Sequence, residues 1–147
     1  MFDSDLAYLA GFFDGEGCVA AYVLKRPPTA KSRAVRGTRL YVTAANTDRR
    51  PLDRFAERFG GAVYVSDKGG TRTDGFNRRE SFVWMLWGKA AQAALAEMLP
   101  FLVVKKAQAE EAMLIVMVNR GSNRGAEVRA LDENIAARIK MLKKQVV

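Results

Sequence analysis

The chain has 147 residues, a length that suits one domain with a sizeable core and is too short for two. Lysine and arginine number 24 against 16 acidic residues, a net charge of +8, which favours an anionic partner without distinguishing nucleic acid from an anionic membrane or an acidic protein. One cysteine and no histidine exclude an internal disulfide, a Cys/His zinc site and a histidine general base, so any catalysis must use carboxylates, lysines, hydroxyls and bound metal.

The first part of the chain predicts a helix, two strands and a second helix. Ser4 or Asp5 can cap the first helix, whose apolar residues recur at helical spacing until the glycines of LAGFFDGEG, residues 9–17, end it. Strands are predicted at 18–25 and 38–46, joined by a polar, basic loop. Thr47 or Asp48 can cap the next helix, which we expect to end near residue 59, before two glycines.

The second part predicts two more strands and further helices. Strands at 62–67 and 80–87 are joined by a segment, 67–79, that is too polar and glycine-rich to be more than a long hairpin loop. Helices are predicted at 89–97 and 105–118, and the tail from residue 126 predicts one or two basic amphipathic helices. The result is one α+β domain, 1–147, in the order αββαββα, with a core over about 5–118 and a helical tail over about 119–147.

One face of the predicted sheet is polar, basic and aromatic. Residues alternate between the faces of a strand, so Val19, Leu40 and Val42 belong to the set that packs under the helices. A solvated face is the ordinary explanation for the other set. The joining loops are also basic, however, and together they favour a surface that binds the DNA major groove. The residues assigned to this surface are Tyr22, Leu24, Arg26, Arg33, Arg36, Arg39, Tyr41, Thr43, Tyr64, Ser66, Lys68, Arg72, Arg79 and Ser81.

Gly11 and Gly15 in the first helix have GxxxG spacing, and Tyr8 lies on the same side. Such a stripe lets a second helix approach closely, although the spacing also suits a Gly11 that packs against its own sheet. If two copies cross here, Asp14 and Glu16 come close to their symmetry mates, and a divalent metal relieves the repulsion between the carboxylates. We therefore predict a homodimer with Tyr8, Gly11 and Gly15 at its interface, beside a metal site typical of phosphodiester cleavage.

The stretch LAGFFDGEG resembles the name-giving motif of the LAGLIDADG homing endonucleases, which it matches at Leu9, Ala10, Gly11, Asp14 and Gly17. The order of elements, the basic face of four strands and the segment PFLVVKK before a helix agree with that family over roughly residues 5–118. The resemblance is to the single-motif members, which act as homodimers. It implies the αββαββα LAGLIDADG fold and metal-dependent double-strand cleavage of a long, pseudo-palindromic DNA target.

The resemblance also implies roles for individual residues. It places the divalent metal, Mg²⁺ with Mn²⁺ or Ca²⁺ as substitutes for binding, at Glu16 and Gly15. Glu16 stands where the motif's name has aspartate, which keeps the charge and adds one methylene. Asp14 takes a structural role at the helix end. A basic residue near the cleaved phosphate corresponds to Lys105, with Lys106 as the alternative.

Two further positions in the resemblance belong to the junction after the second strand. Asn46 corresponds to a polar residue that positions water, and an Asx-type turn into the next helix explains the same residue equally well. Arg50 corresponds to a supporting cation, with Arg49 as the alternative because the alignment is ambiguous by one residue.

Other functions stay open at this stage. On this fold an RNA-splicing maturase or a DNA-binding regulator without cleavage is an alternative, and the retained Glu16 and Lys105 disfavour only the regulator. The DGEG stretch is not a calcium-binding EF-hand, because the twelfth position counted from Asp14 is Lys25 instead of glutamate. No apolar run approaches the roughly 20 residues that span a bilayer, and the first residues are acidic. We expect an intracellular protein of the cytoplasm or an organelle matrix, with no membrane partner and no small-molecule cofactor.

Overall fold

The computed structural model describes residues 2–26, 35–71, 75, 77–115 and 126–145, with the backbone alone at 24–26, 35–37, 71, 77–78, 126–129 and 145. The helices are α1 (Ser4–Glu16), α2 (Arg49–Phe59), α3 (Gly88–Met98), α4 (Lys106–Ala112) and α5 (Ala126–Gln145), with a short 3-10 helix at Leu99–Phe101. The strands are β1 (Gly17–Arg26), β2 (Val35–Asn46), β3 (Ala62–Asp67), β4 (Gly70–Thr71), β5 (Asn77–Arg78) and β6 (Ser81–Trp87). None of the helices described is long and apolar enough to cross a bilayer.

The main sheet has four antiparallel strands in the order β1-β2-β6-β3. The predicted α+β class and the order αββαββα are confirmed. The segment predicted as a plain hairpin loop also contains a small antiparallel ribbon, in which Gly70 pairs with Arg78. β1 follows α1 without a loop, and Gly17 at the junction pairs with Ala44. A side chain at Gly17 would overlap both the ring and the carbonyl of Phe13, so this tight junction requires glycine.

The helices cover one face of the sheet, where the core lies. Val42 and Ala44 in β2 and Trp84 in β6 are fully buried, which confirms the predicted alternation along β2. On the helical side, Leu9 and Phe13 of α1 are also fully buried. Burying one Leu or Phe side chain completely contributes about 1.5–3 kcal/mol, so this apolar stripe anchors α1 to the sheet.

The caps of the first two helices are both aspartates. Asp3 caps α1, its Oδ1 accepting a hydrogen bond from Leu6 N at 3.0 Å, so the predicted cap at Ser4 or Asp5 is wrong. The reason is tertiary, because Arg58 of α2 donates to Asp3 Oδ2 at 2.9 Å and holds this carboxylate in place. Asp48, one of the two predicted caps of α2, accepts a hydrogen bond from Arg50 N at 2.9 Å.

α4 is shorter than the helix predicted at 105–118. It ends at Ala112, the chain turns through Ile115, and residues 116–118 lie outside the described part. Gln92 of α3 explains the end, since its amide donates to the carbonyls of Ala112 at 3.1 Å and Ile115 at 2.8 Å. A side chain twenty or more positions away thus satisfies carbonyls that a continuing helix would have used.

The C-terminal tail forms a helix, α5, that packs against β1, β2 and α4. Ile135 and Ile139 of α5 are at most 1% exposed and belong to the same apolar cluster as Leu9 and Val42. The tail therefore contributes to the core of the domain and covers the β1 side of the sheet.

Candidate functional site

The C-terminal end of α1 brings oxygen atoms to the surface. Glu16 is the last residue of the helix and its side chain is exposed, while Phe13 one turn earlier is fully buried. The carbonyls of a helix's last turn lack intrahelical partners and carry a partial negative charge. The Glu16 carboxylate adds a full charge at the same place, so this end of α1 attracts cations.

Asp14 ties the end of α1 to the segment before α4. Its Oδ2 accepts a hydrogen bond from Val103 N at 2.7 Å, and its Oδ1 accepts one from Lys105 N at 3.0 Å. In return, Lys105 Nζ donates to the backbone carbonyl of Asp14 at 2.6 Å. These three hydrogen bonds place the Lys105 ammonium against the last turn of α1, two residues before Glu16. Lys106, the alternative, is the exposed first residue of α4.

The donor set at this end of α1 suits a hard divalent cation. Glu16 offers a carboxylate and Gly15 offers its backbone carbonyl. No group of three or more His, Cys, Asp or Glu side chains in the described part of the chain is arranged to hold a metal ion. Carboxylate and carbonyl oxygens such as those of Glu16 and Gly15 are the ligand type that Mg²⁺ prefers, since that ion usually binds one or two carboxylates together with waters and substrate phosphates.

The junction between β2 and α2 lies at the same end of the sheet. Because Gly17 pairs with Ala44, Asn46 lies two residues further along β2, level with the last turn of α1. Asn46 Oδ1 accepts a hydrogen bond from Asp48 N at 2.8 Å, which is the Asx-type turn that the sequence left open. The role of Asn46 in positioning water stays a prediction.

The two arginines that follow are paired with carboxylates of their own segment. Arg50 donates through Nε to Asp48 Oδ1 at 3.0 Å, and Arg49 donates through Nε to Asp53 Oδ1 at 3.0 Å. The hydrogen bonds from the Arg50 side chain and backbone lower the pKa of Asp48 from 3.8 to about 2. The Arg50 side chain is 89% exposed, so it extends into solvent, and its supporting role stays a prediction.

Of the residues predicted for the nucleic-acid surface, those that the strand register places on the sheet face away from the helices are Tyr22, Arg39, Tyr41, Thr43, Tyr64 and Ser81. Tyr64 is 54% exposed, and the Ser66 and Ser81 hydroxyls form a hydrogen bond at 2.9 Å beside it. The other described members are exposed or half-buried: Tyr22, Arg39, Tyr41, Thr43, Lys68 and Arg79. Outside the description lie Arg33, Arg72 and the side chains of Leu24, Arg26 and Arg36. We call this side of the sheet the open face.

Trp87 also lies on the open face, although it was not among the residues predicted for this surface. It pairs with Tyr41 across β2 and β6, and its side chain is 48% exposed. The alternation that assigned Ser81 to this face extends through Val83 and Met85 to Trp87, so the period of the strand was the available signal.

The helix α1 also has an exposed side, which contains Gly11 and Gly15 and which we call the glycine face of α1. A Cβ built on Gly11 or Gly15 meets no atom within 4 Å, so neither glycine packs against its own sheet. That excludes the alternative explanation of the GxxxG spacing. Tyr8 on the same side is 44% exposed, and the Arg54 guanidinium lies over its ring, 4.5 Å from the centroid.

Comparison with known proteins reveals similarity in three dimensions only. No protein-family model matches the sequence, and a sequence search of the curated proteins finds no match. The crystal structure of the homing endonuclease I-CvuI in complex with a DNA target is similar with a TM-score of 0.70 and 24% identity, over 95% of this chain and 82% of that chain. The homing endonuclease I-TnaI gives a TM-score of 0.61 and 17% identity, over 97% of both chains. The LAGLIDADG homing endonuclease I-GzeII, bound to a DNA target, gives 0.56 and 15%, over 92% of this chain and 40% of that chain.

Proposed function

We propose that this chain, which has the fold of the LAGLIDADG homing endonucleases, is a site-specific, metal-dependent DNA endonuclease. In this proposal a homodimer makes a double-strand break in a long, pseudo-palindromic target. The observation that carries it is the set of hydrogen bonds between Asp14 and residues 103–105, which holds the Lys105 ammonium against the helix end that bears Glu16. The basic and aromatic open face of the sheet supports DNA as the substrate.

Lys105 is suited to stabilise charge on a cleaved phosphate. An ammonium group has three N–H donors, and the Asp14 carbonyl uses one of them, which leaves two for phosphate oxygens. A cation held in place before the reaction stabilises developing negative charge without a cost of reorganisation. A divalent metal held by Glu16 and the Gly15 carbonyl would supply an activated water and charge stabilisation on the leaving oxygen. I-CvuI has been solved with DNA in the presence of Mg, where the DNA is not cleaved, and in the presence of Ca.

The glycine face of α1 supports the proposal of a dimer. One chain has a single Glu16 at a single helix end, so cleavage of both strands needs two copies. An added Cβ at Gly11 or Gly15 meets no atom within 4 Å. The α1 helix of a second copy can therefore approach α1 closely at these two positions. A two-fold axis at this stripe would place the two Glu16 carboxylates side by side.

The test is selection of a cleaved sequence from a randomised duplex library, using the full chain with Mg²⁺. We expect one dominant pseudo-palindromic target, cut on both strands. Affinity for it should fall on the order of a thousandfold between about 50 and 200 mM salt, as for six phosphate contacts. If no library member is cut at any metal concentration, the proposal is wrong, and tight binding to intron RNA under the same conditions would favour the maturase instead.

A further inference from the structure

Three aromatic side chains contact one another on the open face of the sheet. Tyr22 of β1, Tyr41 of β2 and Trp87 of β6 form this aromatic cluster. The ring centroids of Tyr41 and Trp87 are 4.8 Å apart, and that of Tyr22 lies 6.0 Å from Tyr41 and 6.3 Å from Trp87. The register explains the contacts, because Tyr41 pairs directly with Trp87 and lies diagonal to Tyr22.

The cluster does not belong to the core. Trp84, three residues earlier in β6, is fully buried under the helices, whereas Trp87 is 48% and Tyr22 is 41% exposed. The two tryptophans therefore serve opposite faces of one strand. An apolar patch of this kind on a water-facing sheet indicates a binding surface.

Charge beside the cluster favours DNA as its occupant. Arg39 lies directly across from Tyr22 in the β1–β2 pair, on the same face, and its side chain is exposed. The chain as a whole carries a net charge of +8. A cation adjacent to an apolar patch matches the DNA major groove, where phosphates flank base edges.

We infer that the aromatic cluster reads the 5-methyl group of thymine in the major groove, an inference that rests on the proposed function. The thymine methyl is the apolar group that distinguishes A·T from G·C on the major-groove edge, and it is read by apolar contact. The rings of the cluster meet at 65° and 84° between Tyr22 and its two partners, so they present one compact patch. Such a patch suits a methyl group of paired DNA better than the flat face of an unpaired RNA base.

The register also predicts where the thymine lies. Gly17 is the first residue of β1 and directly follows α1. Tyr41 pairs with Ala20, which lies three residues after Gly17, and Tyr22 lies five residues after Gly17. At about 3.3 Å per residue, the cluster is roughly 10 to 17 Å from the end of α1. DNA rises about 3.4 Å per base pair, so we expect the thymine about three to five base pairs from the cleaved phosphate.

The test uses the wild-type chain and its selected target. Each thymine is replaced in turn by deoxyuridine, which removes the methyl group and keeps the base pair. We expect affinity to fall about three- to fivefold at one or two positions per half-site, the size expected for one buried methyl group, and to stay unchanged elsewhere. This series changes only the DNA, so it does not depend on how a protein variant folds.

A pair of variants assigns the effect to the cluster. Trp87→Ala should bind thymine and deoxyuridine targets equally at those positions. Tyr64→Ala, which removes an exposed aromatic of the same face outside the cluster, should keep the wild-type preference. A selected target without thymine three to five pairs from the cut, or equal affinity of the wild type for every substituted target, overturns the inference while cleavage still supports the endonuclease. Absence of cleavage of any duplex would instead remove the proposed function itself.

Discussion

The two faces of α1 differ in what they touch. On one face Leu9, Ala10 and Phe13 are fully buried against the sheet and the other helices. On the other face Gly11 and Gly15 leave room in which an added Cβ meets no atom within 4 Å. A glycine inside a helix costs roughly 0.5–1 kcal/mol relative to alanine, so stability of the single chain gives no reason for these two residues. The comparison shows that one face of α1 maintains the fold, whereas the other is exposed and is the face that the proposed dimer would use.

The largest effect is expected from Gly11→Leu, which tests the glycine face of α1. An added Cβ at Gly11 meets no atom within 4 Å, Gly11 is exposed, and leucine is the better helix former, so the free energy of unfolding of the monomer should not fall. In the proposed dimer the same side chain is overpacked, at about 1–3 kcal/mol for each of two symmetric contacts. Sedimentation should show monomers where the wild type is dimeric, and double-strand cleavage should be lost.

Phe13→Ala is the matched control on the buried face. It should lower the free energy of unfolding by about 3–5 kcal/mol, because it leaves a cavity next to Phe55 and Leu9. A Gly11→Leu variant that sediments as a dimer and cuts normally would show that the glycine face of α1 does not mediate association.

Glu16→Gln tests the proposed metal ligand at the C-terminal end of α1. The substitution keeps the volume and removes the charge that would hold a metal, so cleavage should fall about a thousandfold. DNA binding and thermal stability should stay close to wild type, since the Glu16 side chain is exposed. Glu110→Gln, an exposed glutamate of α4, is the control and should cut normally. Equal cleavage rates for the two variants would contradict the role of Glu16.

Asp14→Asn should produce a smaller effect, because Asp14 acts through Lys105. Asp14 accepts the hydrogen bonds from Val103 N and Lys105 N on two separate oxygens. Asparagine has one amide oxygen and an NH₂ group that only donates, so it cannot accept both bonds in this way. We expect kcat to fall about tenfold, the size of one charge-assisted hydrogen bond, with little change in KM for DNA.

Asp53→Asn serves as the control for this positioning role. It breaks an exposed pair with Arg49, at a cost of about 0.3–0.5 kcal/mol, and should leave kcat unchanged. Both variants are assayed well below their melting temperatures. If kcat of Asp14→Asn is unchanged under those conditions, Lys105 does not depend on Asp14.

The smallest effect is a pH dependence at the two helix caps. The hydrogen bond from Leu6 N, and next that from Arg58, lower the pKa of Asp3 below 3.8, and Arg50 lowers that of Asp48 to about 2. Because each folded-state pKa is lowered, the stabilisation is complete above about pH 3.8 and is lost as the pH falls through the folded value, near 2 for Asp48. Melting temperatures measured from pH 5 to 2 should converge for the wild type and the Asp3→Asn, Asp48→Asn double variant. Parallel curves over that range would rule out these caps as the source.

Much of the fold follows from local pattern. The order of helices and strands, the burial of Leu40, Val42 and Ala44, and the cap at Asp48 all depend on residues within a few positions of one another. The tertiary structure moved the cap of α1 to Asp3, because Arg58 reaches it from α2. It also ended α4 early, because Gln92 binds its last carbonyls. Neither partner is a neighbour in the sequence.

The candidate site divides in the same way. The sequence alone determined that an amphipathic helix ends in two carboxylates among glycines, since periodicity and chain breaking are properties of the local chain. Only the tertiary structure decided that Asp14 binds a segment about ninety residues away, that open space lies where a side chain at Gly11 or Gly15 would begin, and that Trp87 completes a cluster with Tyr22 and Tyr41. The physical reason is that these contacts depend on strand register and on the packing of whole elements, which bring together side chains that no local pattern connects.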